Sequence, residues 1–275
     1  MMTRRAILFA SYSRDGVVGS HVLRLIRELT HYAETIIFVS ASGKSIDLSS
    51  VRPFCDLAIS RENVGYDFKS WHVALGVLDK PDQYDQVILM NDSVFGPLYS
   101  MDRIFGWLDE SGLDCAGLSS SMQLGYHLQS YFLCFSSRLI KDGVLARFLS
   151  SVVQEDCKSS IVRKYEVGLS HMLLAEHWRI GAYYDVKELR GWQRLLAVFR
   201  NGKNKGRGYF QLSKRALRGD VGNPSLSHWR SLIESGVPFV KVQLLRDNPL
   251  GMNLGRIHRY LERFPVYDDI QDYLK

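Results

Sequence analysis

No stretch of this 275-residue chain is apolar for long enough to cross a bilayer, because a spanning helix needs about 20 consecutive apolar residues. The start, MMTRRAILFASYSRDG, has the basic lead and apolar run of a signal peptide, but the run stops at Ser11 and Arg14-Asp15-Gly16 follow. That is too short for a signal core and reads as a first strand. Cysteine is sparse: Cys55, Cys115, Cys134 and Cys157 form no C-x-x-C pair. Their dispersal argues against a zinc site, and the apolar surroundings of three of them suit buried thiols in a reducing compartment. There is no glycine-rich P-loop, nucleophile elbow, zinc signature or full dinucleotide fingerprint, which removes the commonest α/β enzymes. Internal repeats and low-complexity segments are also missing. The expected location is cytoplasmic, with the inner face of the membrane as the place of any peripheral contact.

What is present is a globular pattern, 46 % hydrophobic and 23 % charged, in a chain long enough to bury a core without disulfides. Short apolar runs at 5–12, 34–42, 56–60, 86–93, 113–120 and 131–137 read as strands. Helical spacing is read at 17–32, 68–78, 101–110, 138–153 and 165–177, with Asp67 as the cap of the second of these. Strands alternating with helices predict an α/β fold with a mainly parallel sheet flanked by helices. Ligands of such sheets bind beyond the carboxyl ends of the strands, so the polar residues after Tyr12, Ser60 and Met90 are expected to converge.

Beyond residue 187 the character changes. Residues Lys187 to Arg218 hold ten Lys/Arg and a single acid, Glu188, while the whole chain carries a net charge of +6. The expected division is therefore a core over 1–186 and a basic, partly helical region over 187–275. A helix is read over HWRSLIESG, a strand with a turn over PFVKVQLLRDNP, and an amphipathic helix in the tail. Trp192, Leu195, Leu196, Val198 and Phe199 among the cations resemble a short interfacial helix that would touch anionic lipid; the other reading is a solvated loop. A sequence pI of about 9.1 also fits nucleic acid. No recognition helix or stacking motif accompanies it, so no nucleic-acid partner is expected.

Four segments carry residue types able to do chemistry. In ILMNDSVFGPL an apolar strand runs into Asn91-Asp92-Ser93. One carboxylate there can hold Mg2+ or Mn2+ against a diphosphate, or it can belong to a polar turn. In ENVGYDFKSW, Asn63, Gly65, Asp67 and Lys69 flank a helix start whose amides suit an anion, or Asp67 simply caps the helix. In KYEVGLSHML, Glu166 opens a helix as a general base or as a partner of the helix dipole, and His171 reads as structural. In YHLQSYFLCF, His127, Gln129 and Ser130 either read sugar hydroxyls or form an edge-of-sheet network.

Taken in order, RENVGYDFKSWHVAL, YDQVILMNDSVFGPL, YHLQSYFLCF, KYEVGLS, the element around Asn223, Pro224 and Trp229, and PFVKVQLLRDNP resemble the rhamnan synthesis protein F family over roughly residues 6 to 250. That resemblance implies a glycosyltransferase of polysaccharide assembly, with rhamnose transfer as the namesake activity. The family is in turn similar to inverting glycosyltransferases of the GT-A fold, a Rossmann-like nucleotide-sugar-binding architecture. There, a D-x-D motif ends the strand after the third helix and binds metal and donor diphosphate. Asn91-Asp92-Ser93 stands in that place with its carboxylate in the middle position only, which implies a weakened metal requirement. Asn63-Val64-Gly65 matches an N-x-G turn near the donor. Tyr165-Glu166 matches the acidic pair whose second member is the base, with glutamate for the usual aspartate.

The resemblance thus implies donor contacts from Ser11, Tyr12, Asn63, Gly65, Asp67, Lys69, Asn91 and Asp92, a base in Glu166, and acceptor contacts from His127, Gln129 and Ser130. The implied donor is a nucleotide-diphosphate sugar, dTDP-rhamnose by the family's name. The implied acceptor is a glycan or lipid-linked glycan, such as that of a lipopolysaccharide. A non-catalytic nucleotide-sugar or glycan-binding domain on the same fold is the alternative.

Overall fold

The computed structural model describes residues 3–43, 46–155, 157–200, 207–218 and 220–274. The chain runs β1 (Arg5–Ser11), α1 (Ser20–Leu29), β2 (Thr35–Ser40), β3 (Leu57–Ser60), α2 (Tyr66–Val77), β4 (Gln86–Asn91), β5 (Val94–Phe95) and α3 (Asp102–Glu110). It continues through β6 (Cys115–Ser121), β7 (His127–Leu128), β8 (Phe132–Ser136), α4 (Ser137–Lys141), α5 (Val144–Ser150), α6 (Lys158–Ile161), a π-helical turn (Val162–Val167), α7 (Gly168–Ala175) and β9 (Ile180–Tyr184). The C-terminal part holds α8 (Gly191–Phe199), α9 (Arg207–Ala216), α10 (Pro224–Ser227), α11 (Trp229–Ser235), β10 (Val240–Lys241), α12 (Val242–Arg246), α13 (Leu254–Leu261) and α14 (Tyr267–Leu274).

The main sheet has the order β3-β2-β1-β4-β8-β6-β7, with β9 pairing parallel to β6. β1, β2, β3 and β4 are parallel, and β8 runs against both β4 and β6. This is the expected α/β layout, a mainly parallel sheet with helices on both faces. β1 is buried along its whole length. The two-residue period of a strand sends Ile7 and Phe9 to the face covered by Val22, Leu25 and Ile26 of α1. Ala6, Leu8 and Ala10 point to the face covered by Phe68, Trp71 and Ala74 of α2. Such double-sided burial is why β1 and β4 read as unbroken apolar runs.

Strand direction decides what meets at the working edge. β1, β3 and β4 leave the sheet there, so Ser11, Ser60 and Asn91 lie along it. The antiparallel β8 enters the sheet where β4 leaves, with Met90 paired to Phe132. That brings residues 129–131, just before β8, beside Asn91; the Asn91 amide donates to the Tyr131 carbonyl at 3.4 Å.

A third apolar cluster joins the C-terminal helices to Phe95 and Leu98 of the core. β10 pairs antiparallel with β5, Val240 to Phe95 and Lys241 to Val94. Gly96 makes this approach possible: its φ is +152°, and a Cβ there would lie 2.5 Å from the Pro238 carbonyl oxygen. α1 meets α14 through the Arg24–Asp269 ion pair.

Several elements differ from the sequence expectation. The helix expected over 138–153 is two helices, because Gly143 takes a left-handed φ of 67° between them. PFVKVQLLRDNP is strand only at Val240–Lys241, and Val242–Arg246 is the helix α12. β9 had no counterpart in the sequence reading. Asp67 is not a helix cap: Gly65 holds the cap position with φ 77°, and Asp67 lies in the first turn of α2. Lys203 and Lys205 of the basic stretch lie outside the described residues.

Candidate active site

The side expected to take the donor is built where β1 and β4 end. Asp92 Oδ2 accepts a hydrogen bond from Ser11 Oγ and another from the Tyr12 backbone N–H, both at 2.7 Å. Beside it, Asn91 Nδ2 donates to Asp67 Oδ2 at 2.8 Å, and Asn91 Oδ1 accepts from the Ser93 amide at 3.1 Å. Removal from water and the negative charge of Asp67 push the Asp92 carboxyl up to about 7, against the pull of its hydrogen bonds. The side chain is nevertheless only half-buried, so a ligand at the sheet edge can reach it.

The loop before α2 is held by a residue the sequence reading passed over. Arg61 donates to the carbonyls of Glu62 and Val64 at 2.7 Å each, to the Tyr66 carbonyl, and to Ser70 Oγ at 2.9 Å. Tyr66 sits at φ 53° directly after Gly65. A left-handed conformation costs a residue with a Cβ about 1–2 kcal/mol, and the Arg61 bonds offset it. Gly65 has no substitute here, since a Cβ would also lie 2.9 Å from Lys69 Cβ. Asn63 is exposed on this loop and Lys69 is half-buried on α2.

The side expected to face the acceptor is built by the π-helical turn. Six residues, Val162–Val167, have this wide winding; π turns inside helices are uncommon and recur at functional sites. Tyr165 turns inward, its hydroxyl accepting from the Val153 amide at 3.0 Å. Glu166 turns to the sheet edge, where Oε2 accepts from Ser130 Oγ and, at 3.4 Å, from the Ser130 amide. His127 Nε2 lies 3.6 Å from Glu166 Oε1, and its Nδ1 is 3.0 Å from the Gly125 carbonyl oxygen. Burial pushes the Glu166 carboxyl up, but His127, Ser130 and Lys241 outweigh it, so it rests below the ordinary glutamate value.

Lys241 joins the two sides. It reaches the site because β10 pairs with β5, just after Asn91-Asp92-Ser93. Its Nζ donates to Ser93 Oγ at 2.9 Å and lies 4.9 Å from the centre of the Tyr131 ring. Its charge also acts on Glu166. A continuous set therefore runs Asp67–Asn91–Ser93–Lys241, and from there to Glu166 with His127 and Ser130. In the sequence the only signal for Lys241 is a lone charge inside the apolar run PFVKVQLL.

The structure brings together Ser11, Tyr12, Asp67, Asn91, Asp92, His127, Ser130 and Glu166. Gln129 is a tie between halves in place of the sugar-reading role expected of it. It is buried, its Oε1 accepts from Ser119 Oγ at 2.7 Å, and its Nε2 donates to Asn223 Oδ1 at 2.7 Å and Ser225 Oγ at 3.3 Å. His171 is exposed and apart from this set. A cavity of about 310 Å³ between α2, α4 and α5, lined by Leu75, Ile140 and Leu145, holds none of these residues.

A mainly parallel sheet with polar and charged side chains gathered at its strand ends is the plan of an α/β protein that takes its ligand at the sheet edge. The chain is a member of the rhamnan synthesis protein F family, whose family model matches residues 16–200. It is similar to the virulence protein VirA of Vibrio anguillarum, at 26% identity over 257 residues, which is 90% of this chain and 81% of VirA. It is also similar to the uncharacterized protein y4gN of Sinorhizobium fredii, at 24% identity over 69% of this chain and 49% of that protein. Among solved structures, residues 1–349 of S. aureus TarS in complex with UDP align at 13% identity and a TM-score of 0.44, covering 99% of this chain and 89% of that one. The glycosyltransferase GlyE of Streptococcus pneumoniae aligns at 13% identity and a TM-score of 0.42, over 86% of this chain and 65% of that one. These structural likenesses are distant.

Proposed function

We propose that this protein is an inverting glycosyltransferase that moves a sugar, rhamnose from dTDP-rhamnose by the family's name, onto a hydroxyl of a growing cell-surface polysaccharide. The donor lies across the ends of β1 and β4, near Ser11, Tyr12 and the 61–66 loop. Glu166, held ionised by its neighbours, takes the proton of the acceptor hydroxyl. The acceptor oxygen forms its bond to the anomeric carbon from the face opposite the departing group. The bond from that carbon to the diphosphate oxygen breaks, and its electron pair leaves with the diphosphate. Positioning and stabilisation of that developing charge supply most of the rate. Lys241, beside Ser93, is the cation this chain itself brings to the edge.

Magnesium or manganese fits in one way. Asp92 offers a single carboxylate, with Oδ2 already accepting from Ser11 and Tyr12. Among the described residues no group of three His, Cys, Asp or Glu is placed to hold a metal ion. Asp92 would therefore hold the cation jointly with donor phosphate oxygens and water, as Mg2+ accepts, and the cation would screen diphosphate charge. A lipid-linked acceptor would bring the protein to the cytoplasmic face of a membrane. Among the described residues no helix is long and apolar enough to cross one.

The observation that carries this reading is the shared set linking Asp92's neighbours, through Ser93 and Lys241, to Glu166. Calorimetry with dTDP-rhamnose, paired with a transfer assay on wild type and Glu166→Gln, tests it. Glu166→Gln should keep donor affinity within a few-fold and lose transfer by about 10²–10⁴-fold. Transfer at the wild-type rate would remove Glu166 as the base. Donor binding by wild type with neither transfer nor hydrolysis would favour a sugar-binding module instead.

A further inference from the structure

α8 and α9 pack on each other and turn Val198, Leu212 and Ala216 into the C-terminal core. A helix advances about 100° per residue. On α8 this sets Trp192, Leu196 and Phe199 roughly opposite the buried Ala197 and Val198. On α9 it sets Phe210 and Lys214 roughly opposite Leu212 and Ala216, and Leu217 follows in the turn just after the helix. The five apolar side chains among these six are 44% to 69% exposed. Single exposed apolar residues are ordinary, but a grouped set on adjacent helices marks an interaction face.

The chemistry of the face selects its partner. Lys187 and Arg190 stand exposed just before α8, and Arg218 just after α9. Lys214 holds its ammonium 4.5 Å from the centre of the Phe210 ring, so charge and aromatic surface share one side. Tryptophan, phenylalanine and leucine alternating with long cationic side chains suit the boundary between lipid headgroups and acyl chains. A stacking surface for nucleic acid would use the rings and the cations but not Leu196 and Leu217. We propose that α8 and α9 form a docking face for an anionic lipid bilayer. This face is separate from the sugar-transfer reading, and its binding is measured without turnover.

Co-sedimentation with vesicles of equimolar phosphatidylcholine and phosphatidylglycerol, against vesicles of phosphatidylcholine alone, tests the proposal. Wild type should bind the anionic vesicles at least about tenfold more strongly, since each basic residue near such a surface adds to the attraction. The triple variant Trp192→Ser, Phe199→Ser, Phe210→Ser should lose most of that binding while keeping its circular dichroism and transfer to a soluble acceptor. The double variant Lys214→Glu, Arg218→Glu should lose the preference for anionic lipid. Equal binding to both vesicle types, unchanged binding by the triple variant, or wild type remaining in the supernatant overturns it. So does self-association, or binding to single-stranded DNA, that the triple variant abolishes in place of vesicle binding.

Discussion

The donor side of the site, around Asp92, and the acceptor side, around Glu166, each place a half-buried carboxylate at the same edge of the sheet. Desolvation is the largest influence on both and pushes both upward. Asp92 has a second carboxylate, Asp67, acting on it and rises to about 7. Glu166 has His127, Ser130 and the Lys241 ammonium, and falls below the ordinary value. Burial alone therefore does not assign roles here; the sign of the neighbouring charge does. At neutral pH Glu166 is held ionised, whereas Asp92 sits near its own midpoint.

Replacing the cation is the strongest way to break this contrast. Lys241→Met keeps length and apolar contact but removes the charge, so Glu166 should rise toward the behaviour of Asp92. Transfer should fall by about 10²-fold, the scale of losing one preorganised charge partner. The acid limb of the rate–pH profile should also move to higher pH. Lys241→Arg should restore the limb in part, and an unmoved limb in Lys241→Met would show that the ammonium does not set Glu166.

Asp92→Asn tests the other side. With a value of about 7, Asp92 loses its charge as pH falls from 8 to 6, and donor affinity measured in the presence of Mg2+ should fall with it by about tenfold, because a neutral carboxyl holds the cation less well. The asparagine variant should show weak, pH-independent binding over that window by calorimetry. Its stability should move the opposite way. A carboxyl with a raised folded value stabilises fully below its unfolded value, and that contribution is lost as pH rises through 7. Thermal melts at pH 8 should therefore show Asp92→Asn above wild type.

The smallest effect extends the comparison to a buried base. His21 lies between the rings of Phe95 and Tyr273, and desolvation holds it at about 4 against the weaker pull of Asp269. A neutral buried histidine leaves stability intact above its unfolded value of 6.5, and that stability is lost as pH falls toward 4. At pH 6 the cost is about 0.8 kcal/mol. His21→Phe should lessen the loss between pH 7 and 6 in denaturant titrations; an identical pH slope would show that His21 does not titrate there.

The sequence showed the strands that are buried on both faces, because RAILFAS and QVILMN have no polar break. It did not show β9: Ile180 to Ala182 are only half-buried and IGAYY lacks a continuous branched run. It misread VQLLR because a short apolar run fits a strand and a buried helix equally. In the site, Asp92 and Glu166 were legible as polar residues breaking apolar patterns. Lys241 was not, since it meets Ser93 across 148 positions through a two-residue ladder. Gln129 looked like a ligand reader because its bond to Asn223 spans 94 positions.

The β5–β10 ribbon has a consequence for the nascent protein. A polypeptide emerging from the ribosome presents both acids long before it presents the ammonium at position 241. Until that late stretch threads alongside Phe95, Glu166 lacks one of its three partners. Surveys of natural variants confined to residues 16–200, the portion the family model covers, would pass over this lysine altogether.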